Sequence, residues 1–164
     1  MSKKFNILFL CTHNSARSIL AEAIATTHES GKFVGYSAGS NPSTAVNPIA
    51  REMAIEMGLP EENLRSKSWD EYETAGAPHM DFIITVCDNA AGEVCPFWPG
   101  QPATAHWGFA DPSLVEGSEA TKKHAFRDVM IGLKKRIDIL ASLPIEHLDL
   151  MAAKEALKNI HAQT

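Results

Sequence analysis

The sequence is short of several features that would indicate particular kinds of protein. It has three cysteines, Cys11, Cys87 and Cys95, and no two of them form a Cys-x(2–4)-Cys pair. Structural zinc sites usually contain such a pair, and secreted disulfide frameworks usually carry an even number of cysteines. No apolar run approaches the ~18 residues that a membrane span needs. These shortages exclude a disulfide scaffold and a membrane protein, and they argue against a zinc module.

Basic residues are outnumbered by acidic ones: the chain has 15 Lys and Arg and 20 Asp and Glu, for a net charge of −5. A broad nucleic-acid surface normally needs a basic face, so we expect no nucleic-acid partner. Attraction to a small anionic substrate would have to be local. The apolar residues 7–10, which follow Lys3 and Lys4, are too few for a secretory leader. We therefore expect a cytoplasmic protein with reduced thiols, folded as a single domain over residues 1–164.

What is present is an alternation of strand and helix patterns. Short apolar runs predict buried strands of a parallel sheet at residues 5–10, 33–36, 82–86 and 104–107. Apolar spacings of three and four predict helices at 16–27, from Pro48 to Gly58, from Ser118 to Pro144, and at 147–161. This order predicts a three-layer α/β/α sandwich with a central, mostly parallel sheet of about four strands. Residues 5–143 would form its core, with an extra C-terminal helix.

Cys11 opens the clearest motif, because it follows the first predicted strand and five residues separate it from Arg17. A loop of that length can curl so that its backbone N–H groups converge on an oxyanion, assisted by the N-terminus of the next helix. The predicted oxyanion-binding residues are Thr12, His13, Asn14, Ser15, Ala16 and Arg17. The planar guanidinium of Arg17 would supply two donors. The same groups favour a nucleophilic thiolate at Cys11, to which Ser18 could donate a hydrogen bond. The alternative is that Cys11 is only a small buried residue at a strand end.

Asp111 is the second candidate, in an Asp-Pro pair that follows the last predicted strand. Ligands of open parallel sheets bind beyond the carboxyl ends of the strands, so we expect Asp111 and Cys11 at the same rim. A carboxylic acid at that rim could protonate a departing oxygen as a general acid. An isolated Asp-Pro pair, by contrast, is more often only a turn.

The Cys-x(5)-Arg-Ser loop with a distant Asp-Pro resembles the low-molecular-weight protein tyrosine phosphatase superfamily. Within that superfamily, three segments resemble the thiol-dependent arsenate reductases: CTHNSARS at 11–18, ITVCD at 84–88 and HWGFADP at 106–112. The resemblance covers residues 5–143 and implies the fold of the superfamily. The helix after Pro144 lies outside it.

The resemblance implies a reaction carried by all three cysteines. Cys11 would attack arsenic, with Asp111 as the proton donor for the departing water. Cys87 would then attack the sulfur of Cys11 and release arsenite, and Cys95 would take over the disulfide with Cys87. Reduction needs two electrons, which come from thiols where no cofactor is bound. Thioredoxin, or glutaredoxin with glutathione, would reset the enzyme, while phosphate and sulfate would compete with arsenate.

The sequence departs from this family pattern in ways that bear on the site. His13 stands where the loop often has glycine, and the long spacing from Cys87 to Cys95 leaves the choice of thiol system open. A family potassium site maps onto Asn14, Glu22, Ser37 and, weakly, Asp70. Because that last match is weak, we assign no metal.

Two other functions fit parts of the pattern. A phosphatase would hydrolyse phosphate monoesters through a phospho-intermediate on Cys11, since the same loop can hold phosphate. The segment after Asp111, however, lacks the tyrosines usual in tyrosine phosphatases, and Cys87 and Cys95 would have no role. A zinc-binding or redox-sensing module without turnover is the other alternative, disfavoured by the cysteine spacing.

Overall fold

The computed structural model describes residues 4–74, 76–86 and 103–163. Cys87, Cys95 and almost all of the loop predicted at 88–103 therefore lie outside the described residues. The strands are β1 (Phe5–Cys11), β2 (Phe33–Gly39), β3 (Phe82–Thr85) and β4 (Ala103–His106). They form one sheet in the order β2-β1-β3-β4, and every neighbouring pair is parallel.

The α-helices of the described chain are α1 (Arg17–Thr26), α2 (Pro48–Met57), α3 (Glu119–Ser142) and α4 (Leu150–Gln163). Short 3-10 helices lie at Glu61–Asn63, Trp69–Tyr72, Pro112–Leu114 and Ile145–His147. The predicted α/β/α sandwich on a parallel sheet is confirmed. None of the described helices combines the length and apolarity that crossing a bilayer requires.

The sheet separates two apolar cores, and β1 contributes to both because its side chains alternate between the faces. Ile7, Phe9 and Cys11 pack with residues of the α-helices. Leu8 and Leu10 face the opposite side, where Met80 and the 3-10 helix Trp69–Tyr72 cover them. Burial on both faces explains why β1 reads as a continuous apolar run.

Three elements differ from the sequence-based expectation. Strand β2 continues to Gly39, beyond the predicted end at residue 36, because Ser37 to Gly39 pair with the end of β1. Helix α1 has no polar outer face, and even Glu22, opposite its apolar stripe, is buried. The last helix begins at Leu150 rather than 147, since a 3-10 helix comes first.

Helix α4 belongs to the main core rather than to an appendage. Its buried residues Ala153, Leu157 and Ile160 join the core on the helix side of the sheet. The fully buried Trp107, just after β4, donates its indole N–H to the carbonyl of Leu157 at 3.0 Å. The C-terminal helix therefore supports the chain segment that leads from β4 to Asp111.

Replacing Leu157 tests this role of α4. Leu157→Ala removes a fully buried side chain and should lower the free energy of unfolding by about 2–5 kcal/mol. Met151→Ala, at a position 80% exposed on the same helix, should change it by less than about 0.5 kcal/mol. Urea denaturation of both variants measures the difference, and equal effects would contradict the assignment of α4 to the core.

Candidate active site

The loop between β1 and α1 is held by its carbonyl groups. Three of these carbonyls accept hydrogen bonds from outside the loop: Thr12 O from Asn41 N (2.8 Å), His13 O from Ser43 N (3.0 Å) and Ser66 Oγ (2.7 Å), and Ser15 O from Asn47 N (2.9 Å). In a planar trans peptide the carbonyl and the following N–H point in opposite directions. The N–H groups of residues 13, 14 and 16 therefore point away from these partners, and none donates to another described residue.

Asn14 and Gly39 allow the loop to take this path. Asn14 adopts φ 48°, in the left-handed region that asparagine tolerates better than most residues. Its buried side chain donates to Ser18 Oγ at 2.8 Å and accepts from the backbone N–H of Lys67 at 2.9 Å. Gly39 lies directly under the loop, where a Cβ would stand 2.6 Å from the carbonyl oxygen of Thr12. Only glycine fits there without displacing the loop.

Helix α1 begins without a side-chain cap. Its N-cap, Ala16, has no side-chain acceptor for the N–H groups of the first turn, whereas Asn47 caps α2 and Ser118 caps α3. The first N–H groups of a helix need acceptors, and their partial positive charge favours an anion. Of these three helices, it is therefore α1, directly after the Cys11 loop, that begins without a side-chain cap.

Arg17 is the guanidinium of the site. It is buried, its Nη1 donates to the carbonyl of Phe109 at 2.9 Å, and its Nη2 lies 3.5 Å from Asp111 Oδ2. Its Nε is also buried and has no hydrogen-bond partner among the described residues. A buried donor without an acceptor costs about 1–3 kcal/mol. A bound oxyanion would supply acceptors both to this donor and to the loop N–H groups.

Asp111 stands across from Arg17 on the segment after β4. Its Oδ1 accepts from the backbone N–H (2.9 Å) and hydroxyl (2.6 Å) of Ser113, which fixes the carboxylate at the start of a 3-10 helix. The other oxygen, Oδ2, faces Arg17, and the side chain is 21% exposed. Asp111 thus holds a fixed orientation at the rim, within reach of a ligand on Arg17.

A cavity of 290 Å³ joins four of the residues predicted from sequence. It is lined by Thr12, His13, Arg17, Phe109, Ala110, Asp111 and Leu114. Cys11, 2% exposed, directly precedes this wall, and Asn14 and Ser18 are fully buried. The imidazole of His13 is exposed, with its Nδ1 3.1 Å from the carbonyl of Asn41. Cys87 and Cys95, predicted for the same site, lie outside the described residues.

Lys67 is the important residue that the sequence reasoning missed. Its buried ammonium group lies 3.2 Å from Ser37 Oγ, 3.4 Å from Asn14 Oδ1 and 3.6 Å from Glu22 Oε1. Three of the four residues mapped onto a potassium site therefore surround a lysine. The fourth, Asp70, is exposed on the 3-10 helix Trp69–Tyr72. The ammonium supplies the positive charge at this position, so these residues do not fit a potassium ion.

Burial dominates the electrostatics of this pair. It raises the pKa of Glu22 and lowers the pKa of Lys67, while the opposite charge of each partner acts in the other direction. Glu22 also accepts a hydrogen bond from the hydroxyl of Ser37. Because Lys67 binds Asn14 through both its backbone and its side chain, the ion pair supports the left-handed residue of the loop.

Comparison with known proteins identifies the family. The family model of the low-molecular-weight phosphotyrosine protein phosphatases matches residues 6–154. The chain belongs to this family. The match continues past Pro144 into α4, beyond the segment over which the motifs resemble the family.

Relatives of this phosphatase family member include curated and solved arsenate reductases. An arsenate reductase of Halalkalibacterium halodurans is 37% identical over 141 residues, covering 86% of this chain and 97% of that protein. A solved arsenate reductase in its phosphate-binding state is 27% identical, with a TM-score of 0.61, covering 84% of this chain and 97% of that one. Another, in its oxidised state, is 25% identical with a TM-score of 0.63, covering 84% and 96%. The resemblance inferred from the motifs is confirmed.

Gly39→Ala tests the fit between β2 and the loop. The new methyl group would displace the Thr12 carbonyl and should cost about 1–3 kcal/mol of stability, together with weaker phosphate binding. Gly76→Ala is the matched control, because no atom lies within 4 Å of a Cβ built there. Thermal unfolding and phosphate titration measure both effects; a Gly39→Ala protein that binds phosphate normally would contradict the packing argument.

Lys67→Ser tests whether the ammonium group of Lys67 takes the place of a potassium ion. The variant leaves Glu22 buried without its ammonium, and breaking a buried ion pair in this way costs about 3–5 kcal/mol. Potassium chloride should restore part of the lost stability, because the vacated space and its oxygen ligands can take the ion. Tetramethylammonium chloride, too large to enter, controls for ionic strength. The wild type should respond equally to both salts, and an equal response of the variant would refute the prediction.

Proposed function

We propose that this chain reduces arsenate to arsenite. The observation that carries the proposal is a set of hydrogen-bond donors after Cys11 that have no acceptor among the described residues: the N–H groups of residues 13, 14 and 16, the uncapped start of α1 and Arg17 Nε. A tetrahedral oxyanion satisfies all three, and arsenate is one. The names of the relatives supply the choice of arsenate over other oxyanions.

In the first step, the thiolate of Cys11 attacks arsenic and one arsenate oxygen leaves as water. Loop N–H groups and the helix N-terminus favour the thiolate and hold the remaining oxygens. When the oxyanion engages Arg17, it competes with Asp111 for the guanidinium. Asp111 Oδ2 is then available to take up a proton from solvent and pass it to the departing oxygen.

In the second step, Cys87 attacks the sulfur of Cys11. The electron pair of the arsenic–sulfur bond stays on arsenic, which leaves as arsenite, and a Cys11–Cys87 disulfide forms. Cys95 then attacks Cys87, frees Cys11 and forms Cys87–Cys95. The chain neighbours of Cys11 and Cys87 support the first exchange. The N–H of Val86, which precedes Cys87, donates to the carbonyl of Leu10, which precedes Cys11, at 2.8 Å.

An external thiol system completes the cycle, because each turnover leaves two thiols oxidised. Thioredoxin, or glutaredoxin with glutathione, would serve in a reducing cytoplasm, and the enzyme itself needs no bound cofactor. Arsenite production with each system supplied separately tests the proposal and identifies the donor. Phosphate and sulfate should compete with arsenate, and absence of arsenite with either donor would overturn the proposed function.

Phosphate monoester hydrolysis is the second candidate, favoured by the family and by the same oxyanion cradle. It needs the Cys11 nucleophile but neither of the other cysteines. The cavity around Arg17 is lined by Phe109 and Leu114 and by no tyrosine. Cys87 is therefore the residue that separates the two functions.

Cysteine variants distinguish a reductase from a phosphatase. Cys87→Ser should release almost no arsenite yet keep any aryl phosphatase activity of the wild type. Cys95→Ser should complete one turnover and then stop with Cys11 linked to Cys87, which peptide mapping detects. Multiple-turnover reduction by both variants at the wild-type rate would contradict the three-cysteine reaction.

Arg17→Lys tests the geometry of the cradle. Lysine keeps the positive charge but loses the fork of donors, so kcat/KM for arsenate should fall by about a hundredfold, or some 3 kcal/mol of transition-state stabilisation. Arg51→Lys, on the partly exposed surface of α2, is the matched control and should have no effect. Full activity of Arg17→Lys would show that the guanidinium does not bind the reacting oxyanion.

A further inference from the structure

Phe109 connects the site to helix α3. Its backbone is fixed on both sides, since its carbonyl accepts from Arg17 Nη1 at 2.9 Å and its N–H donates to Val86 O at 3.0 Å. Any movement of this residue therefore moves the acceptor that orients Arg17. What holds the Phe109 side chain is thus relevant to oxyanion binding.

The ring of Phe109 occupies a slot in the surface of α3. At the base of the slot is Gly132, where a Cβ would lie 2.7 Å from Phe109 Cε1. A glycine inside a helix costs about 1 kcal/mol relative to alanine, so this position gives up helix stability to admit the ring. The guanidinium carbon of Arg136 lies 4.6 Å from the ring centroid, in a cation–π contact.

Arg136 is itself fixed by two hydrogen bonds. Its Nη1 donates to the carbonyl of Gly132 at 2.8 Å, and its Nε donates to His161 Nδ1 at 3.1 Å. The side chain is buried although no carboxylate pairs with it among the described residues. A buried arginine that stacks on an aromatic ring and is held by a histidine has a defined orientation rather than a solvated one.

We propose that Arg136 and His161 are positioning residues for the oxyanion site, acting through Phe109 on Arg17. The contacts run without interruption from His161 on α4 to Arg136 on α3, then to the Phe109 ring and its carbonyl, and so to the guanidinium. Helix α4 thereby helps to align Arg17, the arginine proposed to bind the substrate. This inference rests on the oxyanion binding of the proposed function and adds residues that neither the motifs nor the cavity contain.

The hydrogen bond from Arg136 to His161, which supports Phe109 through Arg136, depends on pH because the histidine can be protonated. Burial lowers the pKa of His161, and the neighbouring Arg136 and His106 lower it further; Lys154, Glu155 and Lys158 of α4 line the same surface groove. Only the neutral ring accepts from Arg136 Nε. Because the pKa of His161 is lowered in the folded chain, its ring stays neutral below the ordinary value of about 6.5. The hydrogen bond from Arg136 Nε is lost only when the pH falls through that lowered folded pKa, so the support weakens in acid.

Sulfate titration by calorimetry tests the support, because sulfate is an oxyanion that does not titrate near neutral pH. Arg136→Lys keeps the charge but loses the planar stack and the fork, and Gly132→Ala displaces the ring from the opposite side. Each should raise the Kd of sulfate about tenfold. Leu140→Ala is the control: it removes another buried side chain of α3, so it should lower Tm but leave the sulfate Kd unchanged.

His161→Asn separates positioning from simple packing. Asparagine can offer an acceptor near the position of Nδ1 but cannot be protonated in this range. As the pH is lowered from about 7.5 to the most acidic pH at which both proteins stay folded, the sulfate Kd of the wild type should rise several-fold relative to that of His161→Asn. Parallel pH profiles would overturn the role of His161.

The outcomes also separate this inference from the proposed function. If the wild type binds no sulfate, phosphate or arsenate, the oxyanion site is wrong and the inference falls with it. If the wild type binds sulfate and the folded Arg136→Lys and Gly132→Ala variants bind it equally well, only the inference is overturned. Circular dichroism establishes that each variant is folded.

Discussion

The constraint on which the candidate site depends is the outward attachment of the carbonyl groups of residues 12, 13 and 15. Once Thr12, His13 and Ser15 are bound through their carbonyl oxygens to the loops that follow β2, the intervening N–H groups have no acceptor in the described part of the chain. The uncapped start of α1 and the unpaired Nε of Arg17 add to the same deficit. Within the described residues, the fold thus leaves a cluster of donors whose hydrogen bonding a bound anion would complete.

The rest of the structure stabilises that arrangement from several sides. Gly39 lets the loop rest on β2, and the buried pair of Lys67 and Glu22 holds the loop through Asn14. The ammonium of Lys67 occupies the position onto which the potassium site of the family was mapped. The proposed anion binding by a chain whose net charge is −5 needs a local positive field, which the buried guanidinium of Arg17 and the N-terminus of α1 would supply.

Much of the fold could be predicted because its signals are local. The apolar run of β1, the Asn47 and Ser118 caps and the Cys11 loop each have a direct physical signature in the sequence. The buried charged residues have no such signature in the sequence. Lysine and glutamate are rarely buried, and only the tertiary contacts show which of these side chains is an exception. Glu22 and Arg136 both lie in helices that were predicted from apolar spacing, and that spacing does not show that either charge is buried. The slot at Gly132 likewise depends on where Phe109 arrives, which no spacing within α3 reveals.

The central claim, that Cys11 is a thiolate waiting for an oxyanion, has one direct test. Alkylation of Cys11 by iodoacetamide, followed by peptide mass analysis across a range of pH, should show a midpoint well below the ~8.5 of an ordinary cysteine. Arsenate should protect Cys11 in a saturable manner, because it would occupy the donors of the loop that follows Cys11. A midpoint at or above the ordinary value, with no protection by arsenate, would contradict the account.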